Sequence, residues 1–122
     1  MSCLFRALAH FVKCDHLDIN ENIMRNIICT YLSNNPKMSE DIKAKDFIEW
    51  ENGKSLDDYV SHMQNSSSWG GAIEIKAFCN IFNSKVIVYF RDKQIEFLPG
   101  NNVINGEIGL WYTGSHFEPK IN

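Results

Sequence analysis

From residue 3 to residue 13 apolar side chains run almost all the way round a helical wheel. Leu4, Phe5, Ala7, Leu8, Ala9, Phe11 and Val12 leave only Arg6, His10 and Lys13 as a narrow polar stripe. A helix of that kind is buried on most sides. Ile19, Ile23, Ile27, Ile28, Tyr31 and Leu32 then recur at helical spacing and give a second helix one apolar face. Asp18-Ile19-Asn20-Glu21 has the form of a capping box, which predicts a start at Asp18, and Asn34-Asn35-Pro36 predicts the stop. Ser39 followed by Glu40 and Asp41 predicts a third start, with acids near the positive end of the dipole, and Asn52-Gly53 breaks the chain. Ser55 with Asp58 opens a short helix whose apolar positions are Leu56, Tyr59, Val60 and Met63. Beyond the Asn65–Ser68 loop and Trp69-Gly70-Gly71, a fifth helix carries Ile73, Ala77, Phe78, Ile81 and Phe82. Gly71 is its expected cap, with Glu74 bonding back to a free N–H.

The period then changes. Lys85 to Phe90 is a continuous Val, Ile, Tyr and Phe run, the mark of a buried strand. Arg91-Asp92-Lys93 turns it into a second strand, Gln94 to Leu98. Asn105-Gly106 is a strong turn signal before a strand over 107–112, and Thr113-Gly114-Ser115 turns into a last one over 116–121. Helices first and a small antiparallel sheet afterwards is an α+β pattern.

Composition narrows the class. The chain has 122 residues, of which 44% are hydrophobic and 22% charged, so it reads as one domain over 1–122 with a real core. A net charge of −3 argues against a nucleic-acid binder that relies on a broad positive field. No apolar run approaches the ~18 residues of a membrane span. Arg6 falls inside what would be the apolar part of a signal peptide, so secretion is not indicated. Cys3, Cys14, Cys29 and Cys79 therefore read as free thiols in a reducing, intracellular compartment, cytoplasmic or nuclear. His10, Cys14 and His16 begin at helix-like spacing, but zinc needs about four ligands and only Cys3 could be added nearby. That cluster reads as a polar helix face ending in a loop.

One cysteine stands apart. Cys3 opens a strongly patterned helix, where unpaired N–H groups favour a thiolate, whereas Cys29 and Cys79 lie within amphipathic helices as packing residues. A nucleophilic thiol needs a base, and His116 is the best candidate. It follows a Gly-containing turn and is flanked by Tyr112 and Phe117. Strand alternation points His116 and Glu118 the same way, so Glu118 could fix the imidazole tautomer.

Three ordered blocks of residues resemble the ovarian-tumour (OTU) family of cysteine deubiquitinases. Ser2-Cys3-Leu4-Phe5-Arg6-Ala7-Leu8 looks like the nucleophile block. Ser68-Trp69-Gly70-Gly71 with Glu74 and Ala77 looks like the central block. Trp111-Tyr112 through Ser115-His116-Phe117-Glu118-Pro119 looks like the histidine block. The resemblance spans essentially the whole chain. It implies an OTU-like fold, a small sheet packed between helices, and hydrolysis of the isopeptide bond after the C-terminal glycine of ubiquitin. Cys3 would be the nucleophile, His116 the general base and Glu118 its orienting partner. Trp69, Gly70, Gly71, Tyr112 and Phe117 would line a narrow channel for the substrate tail. The implied partner is ubiquitin or a ubiquitin-like modifier, met by a monomer with no cofactor, metal, nucleic acid or membrane.

Two departures bear on activity. The family's Asp-Gly before the nucleophile block is absent. Either residues before Met1 belong to the natural chain, or Met1-Ser2 must supply the oxyanion donors, each worth ~10²–10³ in rate. Glu118 replaces a more usual Asn or Asp and is one methylene longer. The alternative to an enzyme is an OTU-like module that binds ubiquitin or another partner without catalysis.

Overall fold

The computed structural model describes residues 3–12, 18–65 and 68–121. Among these residues five helices precede the main sheet: α1 (Cys3–Ala9), α2 (Glu21–Ser33), α3 (Ala44–Asn52), α4 (Leu56–Met63) and α5 (Ala72–Phe82). Between α2 and α3 lies a small hairpin of β1 (Lys37–Ser39) and β2 (Ile42–Lys43). After α5 come β3 (Ser84–Phe90), β4 (Lys93–Phe97), β5 (Gly106–Tyr112) and β6 (Phe117–Pro119). The α+β class read from the sequence holds.

The helix ends show where local signals suffice. Ser55 Oγ accepts from the Asp58 amide at 3.2 Å, and Glu74 Oε1 accepts from the Gly71 amide at 2.7 Å, both as the sequence predicts. The cap of α2 differs. Asn20, not Asp18, accepts from the Ile23 amide, so the helix begins two residues later than the capping-box reading. The predicted helix start at Ser39 is also corrected. Met38 is fully buried in the core, Glu40 and Asp41 form the turn of the β1–β2 hairpin, and α3 starts at Ala44. Its first turn takes its cap from far off: Asn35 Oδ1 accepts from the Lys45 amide at 2.8 Å.

The four main strands lie in the order β4-β3-β5-β6. The expectation of a purely antiparallel sheet is wrong for one pair, because β3 and β5 are parallel, Val88 facing Leu110. The reason is topological. β4 reverses from β3 through a turn at Arg91, which holds φ +58°. Residues 98–105 then carry the chain past β3 to its other side. Two reversals leave β5 parallel to β3, so Asn105-Gly106 ends a crossing loop and is not a hairpin turn. The Asn105 amide anchors that loop on the Asn83 carbonyl at 2.7 Å.

One core joins the layers. Leu4, Phe5 and Leu8 of α1 meet Met24, Ile28 and Leu32 of α2, Ile75 and Phe78 of α5, and Val86, Val88 and Leu110 of the sheet. Phe5, Leu8, Ile28 and Leu110 are wholly shielded from solvent. A large side chain buried this way contributes about 1.5–3 kcal/mol. α5 lies on β3 and β4 while α1 lies against β6, and this brings the first helix to the last strand.

Candidate active site

Cys3 is the first residue of α1 and is buried, 8% exposed. α1 has only seven residues, shorter than the apolar pattern over 3–13 suggests. A more specific donor meets the sulfur: the Phe117 amide points at Cys3 Sγ, 3.5 Å away and 114 positions along the chain. That contact fixes the sulfur against the start of β6. Sequence reasoning placed Phe117 only as an aromatic wall. No sequence signal reveals its amide, because the donor role depends on where α1 lies against β6.

The turn before β6 is built to deliver His116. The Thr113 amide donates to the His116 carbonyl at 3.0 Å, and Tyr112 Oη donates to the Gly114 carbonyl at 2.8 Å. Gly114 has φ +105°, which side-chain-bearing residues rarely adopt. β6 is then fixed in register against β5, Tyr112 facing Phe117 and Trp111 facing Glu118. Tyr112 and Phe117 stack with centroids 4.5 Å apart. His116 Nε2 lies 3.5 Å from Glu118 Oε1, with the side chains 42% and 61% exposed. Alternation along the strand thus brings these two together as predicted, at a spacing longer than the ~2.7–2.9 Å of a charge-assisted hydrogen bond. Cys3, His116, Phe117 and Glu118 line one cleft, with Arg6, Ala7 and Pro119 at its edges.

The central block divides. Gly70 lies directly on α1: a Cβ there would come 2.8 Å from Leu4 Cδ2 and 3.1 Å from the Phe5 ring. Gly71 has nothing within 4 Å of the same position, so it keeps its cap role without a steric reason for glycine. Trp69, which the resemblance makes a channel wall, is 59% exposed and does not line the cleft of Cys3 and His116. Gly70 occupies the place against α1, and the indole beside it faces solvent.

The remaining titratable groups are structural. Burial pushes the Cys29 and Cys79 thiols up to about 11, with nearby charge adding at Cys29. Both are fully buried, in keeping with packing roles. Glu74 is 1% exposed, and burial raises its carboxyl above the ordinary value despite hydrogen bonds from Tyr59 Oη and the Gly71 amide. Among the described residues no group of three or more His, Cys, Asp or Glu is placed to hold a metal. Cys14 and His16 of the suspected cluster lie outside the described residues.

A buried thiol met by a backbone amide, beside a histidine and a carboxylate on an α+β scaffold, defines a protein of the cysteine-protease class. The model of the OTU-like cysteine proteases matches residues 2–118, and the chain belongs to that family. It is 30% identical over 91 residues to ubiquitin thioesterase otu2 of Schizosaccharomyces pombe, covering 72% of this chain and 29% of that protein. It is 25% identical over 119 residues to ubiquitin thioesterase OTU1 of Drosophila pseudoobscura pseudoobscura, covering 97% of this chain and 31% of that protein. The chain thus spans about a third of the length of these curated relatives. Its fold matches an OTU domain solved in complex with ubiquitin, at TM-score 0.71 and 26% identity, over 97% of this chain and 62% of that one. The Hazara virus OTU bound to ubiquitin superposes at TM-score 0.70 with 17% identity, over 97% of this chain and 73% of that one, a likeness of fold.

Proposed function

We propose that this chain is a thiol-dependent deubiquitinase that hydrolyses the isopeptide bond after the C-terminal glycine of ubiquitin. The observation that carries the reading is the meeting of Cys3 Sγ with the Phe117 amide, which seats residue 3 in one cleft with His116 and Glu118. In this reading the Cys3 thiolate attacks the glycine carbonyl carbon. The protonated His116 gives its proton to the departing lysine amine as the C–N bond breaks, leaving a thioester. His116 then takes a proton from water, hydroxide adds to the thioester, and the thiolate leaves with the ubiquitin carboxylate released. Glu118 orients the imidazole. Phe117 walls the cleft with Tyr112 stacked on it, while exposed Trp69, with Gly71, offers a surface to the substrate tail. The names of the relatives, ubiquitin thioesterases, support the substrate class.

A ubiquitin probe ending in an electrophilic alkyne tests this. Wild type should form a covalent adduct mapped by mass spectrometry to Cys3, and Cys3→Ala should form none and cleave no ubiquitin conjugate while keeping its melting temperature. Ubiquitin binding without an adduct would replace the reading with the non-catalytic, ubiquitin-binding one.

A further inference from the structure

A buried cation that no step of the proposed reaction uses lies against the helix that carries Cys3. Arg25, on α2, is 3% exposed. Its Nη1 donates to the Met63 carbonyl at 2.6 Å and its Nη2 to the Ser68 carbonyl at 2.8 Å. The guanidinium carbon also lies 4.3 Å from the centroid of the Phe5 ring, two residues after Cys3. One side chain therefore joins the end of α4, the segment leading into Trp69-Gly70-Gly71, and the first turn of α1. Ser68 is itself tied back to α4, its Oγ donating to the His62 carbonyl at 2.7 Å. Gly70, two residues after Ser68, also packs on Leu4 and Phe5.

We infer that Arg25 is a positioning residue for Cys3: by gripping the Met63 and Ser68 carbonyls while stacking on Phe5, it fixes the first turn of α1 and so the bearing of Sγ on His116. This rests on the reading of Cys3 as the nucleophile. The planar guanidinium fork has fixed donor directions, so both carbonyls and the ring face are satisfied together in one arrangement of the three elements. A lysine ammonium on its flexible stem reaches one carbonyl at a time and has no flat face to lay on Phe5. Burying a charged group is costly unless its donors are used, so departures from this arrangement are penalised. The reaction is sensitive to such departures, because misplacing reacting groups by ~1 Å can cost ~10² in rate.

The test compares wild type, Arg25→Lys, Gly70→Ala and Ile28→Val in the full chain. Ile28→Val trims the same helix within the core, removes none of the Arg25 contacts named above, and serves as a control for lost stability. We expect Arg25→Lys to lower kcat on a ubiquitin–fluorophore substrate by ~10-fold or more with KM within ~2-fold, a loss of alignment and not of binding. Gly70→Ala, which presses on Leu4 and Phe5 in the same turn of α1, should give the same split and decides the matter if Arg25→Lys fails to fold. Ile28→Val should keep its kcat. Unchanged kcat in the folded Arg25→Lys, or an equal loss in Ile28→Val, overturns the inference. Should wild type neither cleave nor be labelled, the deubiquitinase reading fails by itself, and amide exchange then judges the clamp. Exchange over Leu4–Ala7 and Ser68–Gly71 that is ~10-fold faster in Arg25→Lys than in Ile28→Val supports it, and equal exchange overturns it.

Discussion

Replacing Glu118 with Gln keeps a carbonyl acceptor two residues beyond His116 and removes one negative charge. The structure sets how much that should matter. Nε2 and Oε1 are 3.5 Å apart, and the two side chains are 42% and 61% exposed, so water screens the pair. Exposed ion pairs contribute about 0.2–1 kcal/mol. If that whole amount is gained only as the imidazolium forms, and ~1.36 kcal/mol is tenfold in rate, the loss in kcat is ~1.4- to 5-fold. A buried orienting carboxylate in a triad behaves differently, and its amide replacement costs ~10⁴. Steady-state turnover of a ubiquitin–fluorophore substrate by wild type and Glu118→Gln measures the difference directly. Repeating it at low and high ionic strength adds a second check, because the Debye length shrinks from ~10 Å at 0.1 M to ~3 Å at 1 M salt. The deficit should narrow as salt rises, with KM little changed. A loss of ~100-fold or more, at any salt, would refute the screened-pair argument and mean that substrate binding buries Glu118 against the ring.

Two further predictions concern the scaffold. Gly70→Ala should lower stability by about 1–3 kcal/mol through overpacking against Leu4 and Phe5, whereas Gly71→Ala, with open space around it, should cost no more than about 1 kcal/mol of cap preference. Thermal melts of both variants check the order, and equal losses would count against it. Glu74→Gln should change the pH dependence of stability. Burial raises the folded Glu74 carboxyl above its ordinary 4.5, so its contribution is full below that value and is lost as pH rises through the higher folded one. Glutamine stays neutral throughout, so the stability of the variant relative to wild type should climb as pH increases above 4.5, read from urea midpoints. A constant difference across that range would mean that Glu74 carries the same charge in both states.

Where a signal and its partner lie within one turn of chain, the sequence is a sound guide. Ser55 and Asp58, Gly71 and Glu74, and the buried run of β3 all form as their patterns predict. Errors arise where a distant group outbids the local one. Ser39-Glu40-Asp41 has the chemistry of a helix start, but Met38 must reach the core and Asn35 already caps the first turn of α3 from ten residues upstream. Asn105-Gly106 has the chemistry of a hairpin, but the adjacent position on β3 is taken by β4, so the chain must cross before it can pair. Both are tertiary decisions, and neither is written within the residues that look decisive.

The candidate site divides along the same line. Residue types and order mark Cys3, His116 and Glu118, because a thiol at a helix start and a histidine and carboxylate two apart on a strand carry their chemistry locally. What makes them one site is the docking of the first helix on the last strand, and that is settled by Phe5 and Leu8 entering the common core. The Phe117 amide and the Arg25 guanidinium are products of this docking: one meets Sγ from β6, the other holds Phe5 from α2. Neither has a sequence signature, since any residue but proline supplies an amide and an arginine in an amphipathic helix reads as surface. Arg25 is nevertheless almost wholly buried, and its two carbonyl partners sit 38 and 43 positions away. A polar side chain that spans such separations near a nucleophile links the geometry of the site to the packing of the core. Substitutions at the core face of α2 that shift this arginine should therefore alter turnover more than those that cost equal stability and leave it in place.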